Sequence, residues 1–197
     1  MERQRLFISL DLPHAIRQAA AEVQERLRKA QTHDGLHSKR DISWTRPEGM
    51  HLTLKFLGEV EEKQVSKIQT ALAEAGRVFR PITIEIEGLG GFPSSRAPRV
   101  IWLEIKESSG ELGRLQKRVD EVLAPLGFLP ETRDFQAHLT LGRVNSPKGR
   151  DTLVKALEDQ KTVRMGECKL EELDLMRSTL QPGGAIYTKV WSIKASN

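Results

Sequence analysis

The sequence has very little of several features that assign a protein to a class. Its 197 residues include one cysteine, Cys168, which cannot form an internal disulfide and fits a reducing compartment. No apolar run reaches membrane-spanning length, and the residues before the first alternating segment contain no apolar core of a signal peptide. We therefore expect a cytoplasmic protein that makes no use of a membrane.

The sequence also lacks the short motifs of common catalytic and cofactor-binding sites. It contains no Gly-x-Ser-x-Gly turn, no Walker loop and no zinc-type spacing of cysteine and histidine. The glycine-rich residues 88–91 lead into a turn and not into a helix, so a dinucleotide site lacks its required context. Clustered carboxylates that could hold a divalent metal are missing as well. We expect neither a cofactor nor a metal.

The composition that remains is that of a globular protein with a basic surface. Hydrophobic residues make up 38% of the chain and charged residues 29%, and the formal net charge is +4. This charge favours a phosphate-bearing partner, although a solvated surface explains any single cation equally well.

The strongest signal in the sequence is a short motif that occurs twice. Residues 51–58 read HLTLKFLG and residues 138–144 read HLTLGRV. In a strand, side chains two positions apart share a face, so His51 lies beside Thr53 and His138 lies beside Thr140. Packing does not require this pair of residue types twice, so the repetition favours a functional role over a chance match.

The order of predicted elements is the same in both halves of the chain. Each half has a strand, a helix, a His/Thr strand, a second helix and a strand, with residues 5–12 corresponding to residues 99–106. We interpret residues 1–197 as a single domain built from a duplicated unit. Duplicated units tend to assemble about a pseudo-twofold axis, which would place the two His/Thr pairs across a cleft from each other.

Two facing histidines suit a reaction in which one proton is removed and another is delivered. An imidazole has a pKa of about 6.5, so one ring can be neutral and the other protonated near neutral pH. Threonine hydroxyls on the same faces can donate hydrogen bonds to two oxygens of a phosphate. This set of groups indicates in-line displacement at phosphorus without a metal.

Both motifs in their sequence settings, residues 51–58 and 135–143, resemble the 2H phosphoesterase superfamily. Within it, the chain is similar to the bacterial and archaeal RNA 2′,3′-cyclic phosphodiesterases, also called 2′-5′ RNA ligases. Residues 5–13, 98–102, 175–178 and 184–187 extend the likeness over almost the whole chain. The resemblance implies an α+β fold of two lobes, each an antiparallel sheet with helices packed outside, around a central cleft. It also implies hydrolysis of a terminal 2′,3′-cyclic phosphate on RNA to a 2′-phosphate, with reverse ligation as a side activity.

The resemblance implies roles for individual residues. His51 would be the proton donor and His138 the proton acceptor, although the near symmetry of the motifs leaves the reverse assignment open. Thr53 and Thr140 would hold the phosphate, and Arg143 matches a family arginine expected to bind it. Five residues from His138 is the wrong parity for a regular strand, so Arg143 reaches the cleft only if the strand bends or ends there.

Two further residues are candidates for substrate contact. By parity Lys55 shares the face of His51 and could stabilise phosphate, but a solvated lysine is an equal alternative. Phe56 falls on the opposite, core face by parity, with stacking against a base as the alternative.

Three functions remain open from the sequence. The first is cyclic phosphodiesterase action by a monomer on an RNA end or a small nucleotide. The second is a nucleotide-binding or RNA-binding module without turnover, which the presence of both histidines disfavours. The third is a 2H phosphodiesterase for another cyclic or 2′-5′-linked nucleotide, selected by the loops of residues 31–41 and 177–184.

Overall fold

The structure is a computed structural model that describes residues 2–32, 41–181 and 184–196. Within these residues the chain forms nine strands and four α-helices, with 3₁₀ turns at Pro47–Gly49 and Ala124–Leu126. The elements in chain order are β1 (Arg3–Leu10), α1 (His14–Thr32), β2 (Ile42–Trp44), β3 (Leu52–Glu61), α2 (Glu62–Gly76), β4 (Ile82–Phe92), β5 (Val100–Lys106), α3 (Glu111–Leu123), β6 (His138–Val144), α4 (Arg150–Asp159), β7 (Arg164–Leu170), β8 (Glu172–Gln181) and β9 (Gly184–Lys194).

The strands form two antiparallel sheets, and each sheet has a His/Thr strand at or near one edge. One sheet runs β3-β1-β8-β9, and the other runs β6-β5-β4-β7 with the short β2 added beside β6. Each sheet therefore has a His/Thr strand next to the first strand of its own half. Strands then cross between the halves: β8 and β9 of the second half complete the first sheet, and β4 of the first half lies between β5 and β7 in the second sheet. The predicted α+β fold of two antiparallel lobes is confirmed.

Helices from one half of the chain also pack on the sheet of the other half. Helix α3, which follows β5, lies against α2 and β3, and helix α1, which follows β1, lies against α4, β6 and β7. The apolar stripe of α1 that the sequence predicts, including Ile16, Ala20, Val23 and Leu27, is buried in this packing. Each lobe therefore contains helices or strands from both halves of the chain. The inner faces of the two lobes enclose one cleft.

The glycine-rich residues 88–91 belong to β4, which ends at Phe92 and then leads into a turn and not into a helix, as predicted. One loop prediction needs revision. The connection predicted over residues 177–184 is mostly strand, because β8 extends to Gln181 and β9 begins at Gly184. Most of the other predicted loop, residues 33–40, lies outside the described residues. Among the helices that the structure describes, none combines the length and apolar character needed to cross a membrane.

Candidate active site

Each His/Thr strand contains a β-bulge immediately after its threonine. In the first lobe Ser9 pairs with Thr53 and Ile8 pairs with Lys55, so Leu54 is the extra residue. In the second lobe Trp102 pairs with Thr140 and Ile101 pairs with Gly142, so Leu141 is the extra residue. A bulge adds one residue to one strand and shifts the alternation of every side chain beyond it.

These bulges decide which side chains reach the cleft. In a regular strand the histidine and the residues two and four positions later would share the inner face. With the bulge, the inner face instead has the histidine and the residues two and five positions later. His138, Thr140 and Arg143 all line the cleft for this reason. Arg143 therefore reaches the cleft because the bulge interrupts the regular alternation of β6. Such a bend is the condition under which the sequence predicts that Arg143 faces the cleft.

The same bulge overturns the parity predictions for two residues of the first motif. Parity assigns Phe56 to the core, but it lines the cleft and its side chain is 59% exposed. Parity assigns Lys55 to the face of His51, but it is 3% exposed and donates hydrogen bonds to Asp120 and to the carbonyl oxygen of Leu129. The extra residue Leu54 rotates both side chains to the opposite faces.

The cleft has a volume of about 690 Å³ and takes its lining from both sheets. His51, Thr53 and Phe56 face it from one lobe, and their counterparts in β6 face it from the other. Its charged lining is mainly positive and comprises Arg5, Arg46, Arg143 and Glu48. A cleft with more cations than anions, and with the hydroxyl and imidazole groups of both motifs on its two walls, suits an anionic ligand.

His51 lies in an aromatic cage. Its ring stacks on Phe7 at a centroid distance of 4.7 Å and meets Tyr187 edge to face at 5.0 Å. Burial lowers the pKa of His51 to about 4, although a hydrogen bond to the backbone of Gly49 and the charge of Asp11 act in the opposite direction. The imidazole is consequently neutral at pH 7.

His138 is held by a backbone contact of the same kind. Its Nδ1 lies 2.7 Å from the carbonyl oxygen of Gln136, and a carbonyl can only accept, so Nδ1 carries the proton. Nε2 is then left for chemistry in the cleft. In both motifs the partner is the backbone of the residue two positions before the histidine, so the two rings are oriented in equivalent ways.

Sequence reasoning missed the aromatic neighbours of the two histidines. Phe92 meets the His138 ring edge to face at 5.2 Å and stacks on Trp102 at 4.9 Å. A glycine signals this arrangement, because a Cβ at Gly90 would lie 2.7 Å from the Trp102 ring. These aromatic residues are far from the histidines in the sequence. No pattern around either histidine therefore predicts the contacts.

The described residues contain no group of three or more His, Cys, Asp or Glu side chains placed to hold a metal ion. Cys168 lies on β7, and burial raises the pKa of its thiol to about 11, so it is a poor nucleophile at neutral pH. The groups available for chemistry in the cleft are thus imidazoles, hydroxyls, guanidiniums and the single carboxylate of Glu48.

The two His/Thr strands, each with a bulge after its threonine, place one histidine and one threonine on each wall of the same cleft. A sequence model of the LigT-like phosphoesterase family matches the chain twice, over residues 10–102 and 103–187, and each match includes one His/Thr pair. The chain belongs to this family, within the 2H phosphoesterases.

Known proteins agree with this assignment. The chain is 35% identical over 184 residues to an RNA 2′,3′-cyclic phosphodiesterase of Methanothermobacter thermautotrophicus, covering 93% of this chain and 95% of that protein. The crystal structure of the protein TT0787 of Thermus thermophilus matches with a TM-score of 0.78 at 27% identity over 96% of this chain and 97% of that chain. Escherichia coli LigT complexed with 3′-AMP has the same fold, with a TM-score of 0.69 at 23% identity and full coverage of both chains.

Proposed function

We propose that the protein hydrolyses the 2′,3′-cyclic phosphate at the end of an RNA to a 2′-phosphate without a metal. The observation that carries this proposal is the pair of equivalent His/Thr faces on opposite walls of one basic cleft. The name of the archaeal relative, RNA 2′,3′-cyclic phosphodiesterase, supports the same substrate.

In this reaction water attacks phosphorus while the bond from phosphorus to O3′ breaks. His138 accepts the proton of the attacking water through Nε2, because its Nδ1 proton is committed to the Gln136 carbonyl. His51 donates a proton to the departing O3′. Thr53 and Thr140 donate hydrogen bonds to the non-bridging oxygens, whose negative charge grows in the transition state. The product has a 2′-phosphate and a free 3′-hydroxyl group.

The donor role of His51 requires it to gain a proton when substrate binds. Its ring is neutral at pH 7, since burial beside Phe7 and Tyr187 holds its pKa at about 4. A cyclic phosphate carries one negative charge, and an anion beside an imidazole raises its pKa. We therefore propose that the substrate phosphate and the proton on His51 bind together.

Arg143 and Phe56 complete the substrate contacts. Arg143 reaches into the cleft from β6 and can bind the terminal phosphate bidentately. Phe56 presents an exposed ring on the opposite wall, where the base of the terminal nucleotide can stack. Lys55 is excluded from this set because it is buried in an ion pair.

The finer features of this function follow from the same proposal. Ligation is the reverse reaction and a side activity, because water favours hydrolysis. The chain acts as one monomeric domain built from a duplicated unit, in the cytoplasm, where RNA ends are available and a lone cysteine stays reduced. A 2H phosphodiesterase acting on another cyclic or 2′-5′-linked nucleotide remains the second candidate, since the His/Thr faces recognise only the phosphate.

The test is product analysis after the protein is incubated, in EDTA, with a short RNA ending in a 2′,3′-cyclic phosphate. The expected product is a 2′-phosphate, formed by the wild type and lost in His51→Ala and His138→Ala. A 3′-phosphate product would contradict the proposed regiochemistry, and activity only after metal addition would contradict metal independence. RNA binding without turnover would favour a binding module.

A further inference from the structure

Two buried polar side chains connect the two His/Thr strands to each other. Neither side chain lines the cleft, and neither can touch a substrate there. Lys55 belongs to one His/Thr strand and Gln24 contacts the other, and each also contacts the segment of chain that leads to the opposite His/Thr strand. We describe these two sets of contacts as the Lys55 brace and the Gln24 brace.

The Lys55 brace starts one residue beyond the bulge at Leu54. The Lys55 ammonium donates hydrogen bonds to Asp120 Oδ1 at 2.5 Å and to the Leu129 carbonyl oxygen at 2.6 Å. The other oxygen of Asp120 accepts a hydrogen bond from Gln116 Nε2 at 2.9 Å. Lys55 thus joins the strand of the first histidine to helix α3 and to the segment that runs from Leu129 into β6.

The Gln24 brace is the counterpart in the other lobe. Gln24, on α1, is 3% exposed, and its Nε2 donates to the carbonyl oxygens of Leu141 at 2.6 Å and Thr45 at 2.8 Å. Leu141 is the bulge residue of the His138 strand. Thr45 lies in the segment that runs from β2 to His51.

We propose that Lys55 and Gln24 are positioning residues that fix the separation of the two catalytic strands, each by binding one bulged strand and the segment leading to the other. This inference rests on the proposed function, because the separation of the two strands matters only if both histidines take part in one reaction. A buried ion pair contributes little to stability compared with an apolar pair of similar size, so stability alone does not account for the Lys55 brace. Paired acid/base chemistry does need a fixed distance, because a displacement of about 1 Å can cost a hundredfold in rate.

The decisive variant replaces both ends of the ion pair, Lys55→Met with Asp120→Leu. This double substitution leaves no unpaired buried charge but removes the acceptor of Gln116 Nε2, so we expect a variant that still unfolds cooperatively, with a urea midpoint close to that of the wild type. We also expect kcat to fall roughly ten- to a hundredfold while KM changes less than about threefold, because substrate contacts remain but the histidines are misplaced. Arg114→Met, which removes an exposed ion pair on the same helix, is the matched control and should leave kcat unchanged.

The imidazole signals of the wild type and the variants provide a second readout by ¹⁵N NMR. The Lys55 double variant should shift the signals of His138 as well as those of His51, although Lys55 touches neither ring. Gln24→Leu should reduce kcat in the same way and shift the signals of His51. A folded double variant with wild-type kcat and an unchanged His138 signal would overturn the Lys55 brace, and the same result for Gln24→Leu would overturn the Gln24 brace.

The two levels of proposal fail in different ways. If the wild type does not act on a cyclic phosphate RNA, the proposed function is wrong, while the imidazole signals still test the braces. If the wild type is active and the folded brace variants retain full kcat, only the positioning role is wrong.

Discussion

Phe56 and Arg143 occupy equivalent positions on opposite walls of the cleft. Each side chain lies five residues after a motif histidine and reaches the inner face because a bulge follows the motif threonine. The two lobes therefore present the same histidine and threonine but differ at this third position. One wall offers an aromatic face for a base, and the other offers a guanidinium for a phosphate.

The first prediction concerns Phe56. Phe56→Leu keeps an apolar side chain but removes the ring, and loss of base stacking of about 1–3 kcal/mol should lower kcat/KM several-fold or more, mainly through KM. Val78→Leu, at another exposed apolar position, is the control and should have no effect. An unchanged KM with an RNA substrate would rule out a stacking role for Phe56.

The second prediction concerns Arg143. Arg143→Met removes one phosphate contact, so RNA binding should weaken and its log–log dependence on salt should become shallower by about 0.7. Binding measured by fluorescence anisotropy at several salt concentrations tests this. Arg118→Met removes an exposed cation on α3 and serves as the control. Equal salt slopes for Arg143→Met and the wild type would mean that Arg143 does not contact a phosphate.

The third prediction concerns the histidines themselves. His51→Ala and His138→Ala should each reduce kcat roughly a hundred- to ten-thousandfold, because each removes one proton-transfer group. The double variant should be little worse than either single variant, since the two act as a unit. His14→Ala, at an exposed position at the start of α1, should retain full activity. Near-normal turnover in either motif variant would exclude the paired mechanism.

The fourth prediction separates the donor from the acceptor. In a substrate with sulfur in place of O3′, the leaving thiolate needs no protonation. His51→Ala should therefore recover much of its lost rate on this substrate, whereas His138→Ala should not. The reverse pattern would exchange the two roles and make His51 the acceptor, in agreement with its lowered pKa of about 4.

The fifth prediction concerns the pH dependence of stability. The pKa of His51 is about 4 in the folded protein, below the value of about 6.5 expected in the unfolded chain, so the unfolded state binds this proton more tightly. The free energy of unfolding should thus decrease by about 3 kcal/mol as the pH falls from 6.5 to below 4. Burial raises the pKa of Asp174 to about 6, which gives the opposite trend over an overlapping range.

Comparison with His51→Gln isolates the histidine from Asp174. Urea unfolding of both proteins between pH 4 and pH 7 should show a difference in stability that narrows or reverses towards low pH, because the glutamine does not titrate. Parallel curves would show that His51 is not buried as a neutral ring in the folded protein.

Local patterns along the chain were sufficient to predict the main helices and the two His/Thr pairs, and the family resemblance of the two motifs implied the two lobes. The spacing of apolar residues such as Ile16 and Ala20 predicts a helix. A histidine and a threonine two positions apart in one strand predict a shared face. The order of strand, helix, His/Thr strand, helix and strand in each half was also predicted from the sequence, because it depends only on positions along the chain.

Which side chains after each threonine face the cleft depends on strand pairing and is seen only in the folded chain. A bulge is a relationship between two strands, so the sequence of β3 alone could not reveal that Leu54 is an extra residue opposite β1. One unpaired residue was enough to send Lys55 into the core and Phe56 into the cleft. The pKa of His51 likewise depends on burial beside Phe7 and Tyr187, which are far from it in the sequence and are brought together only when β1, β8 and β9 form one sheet.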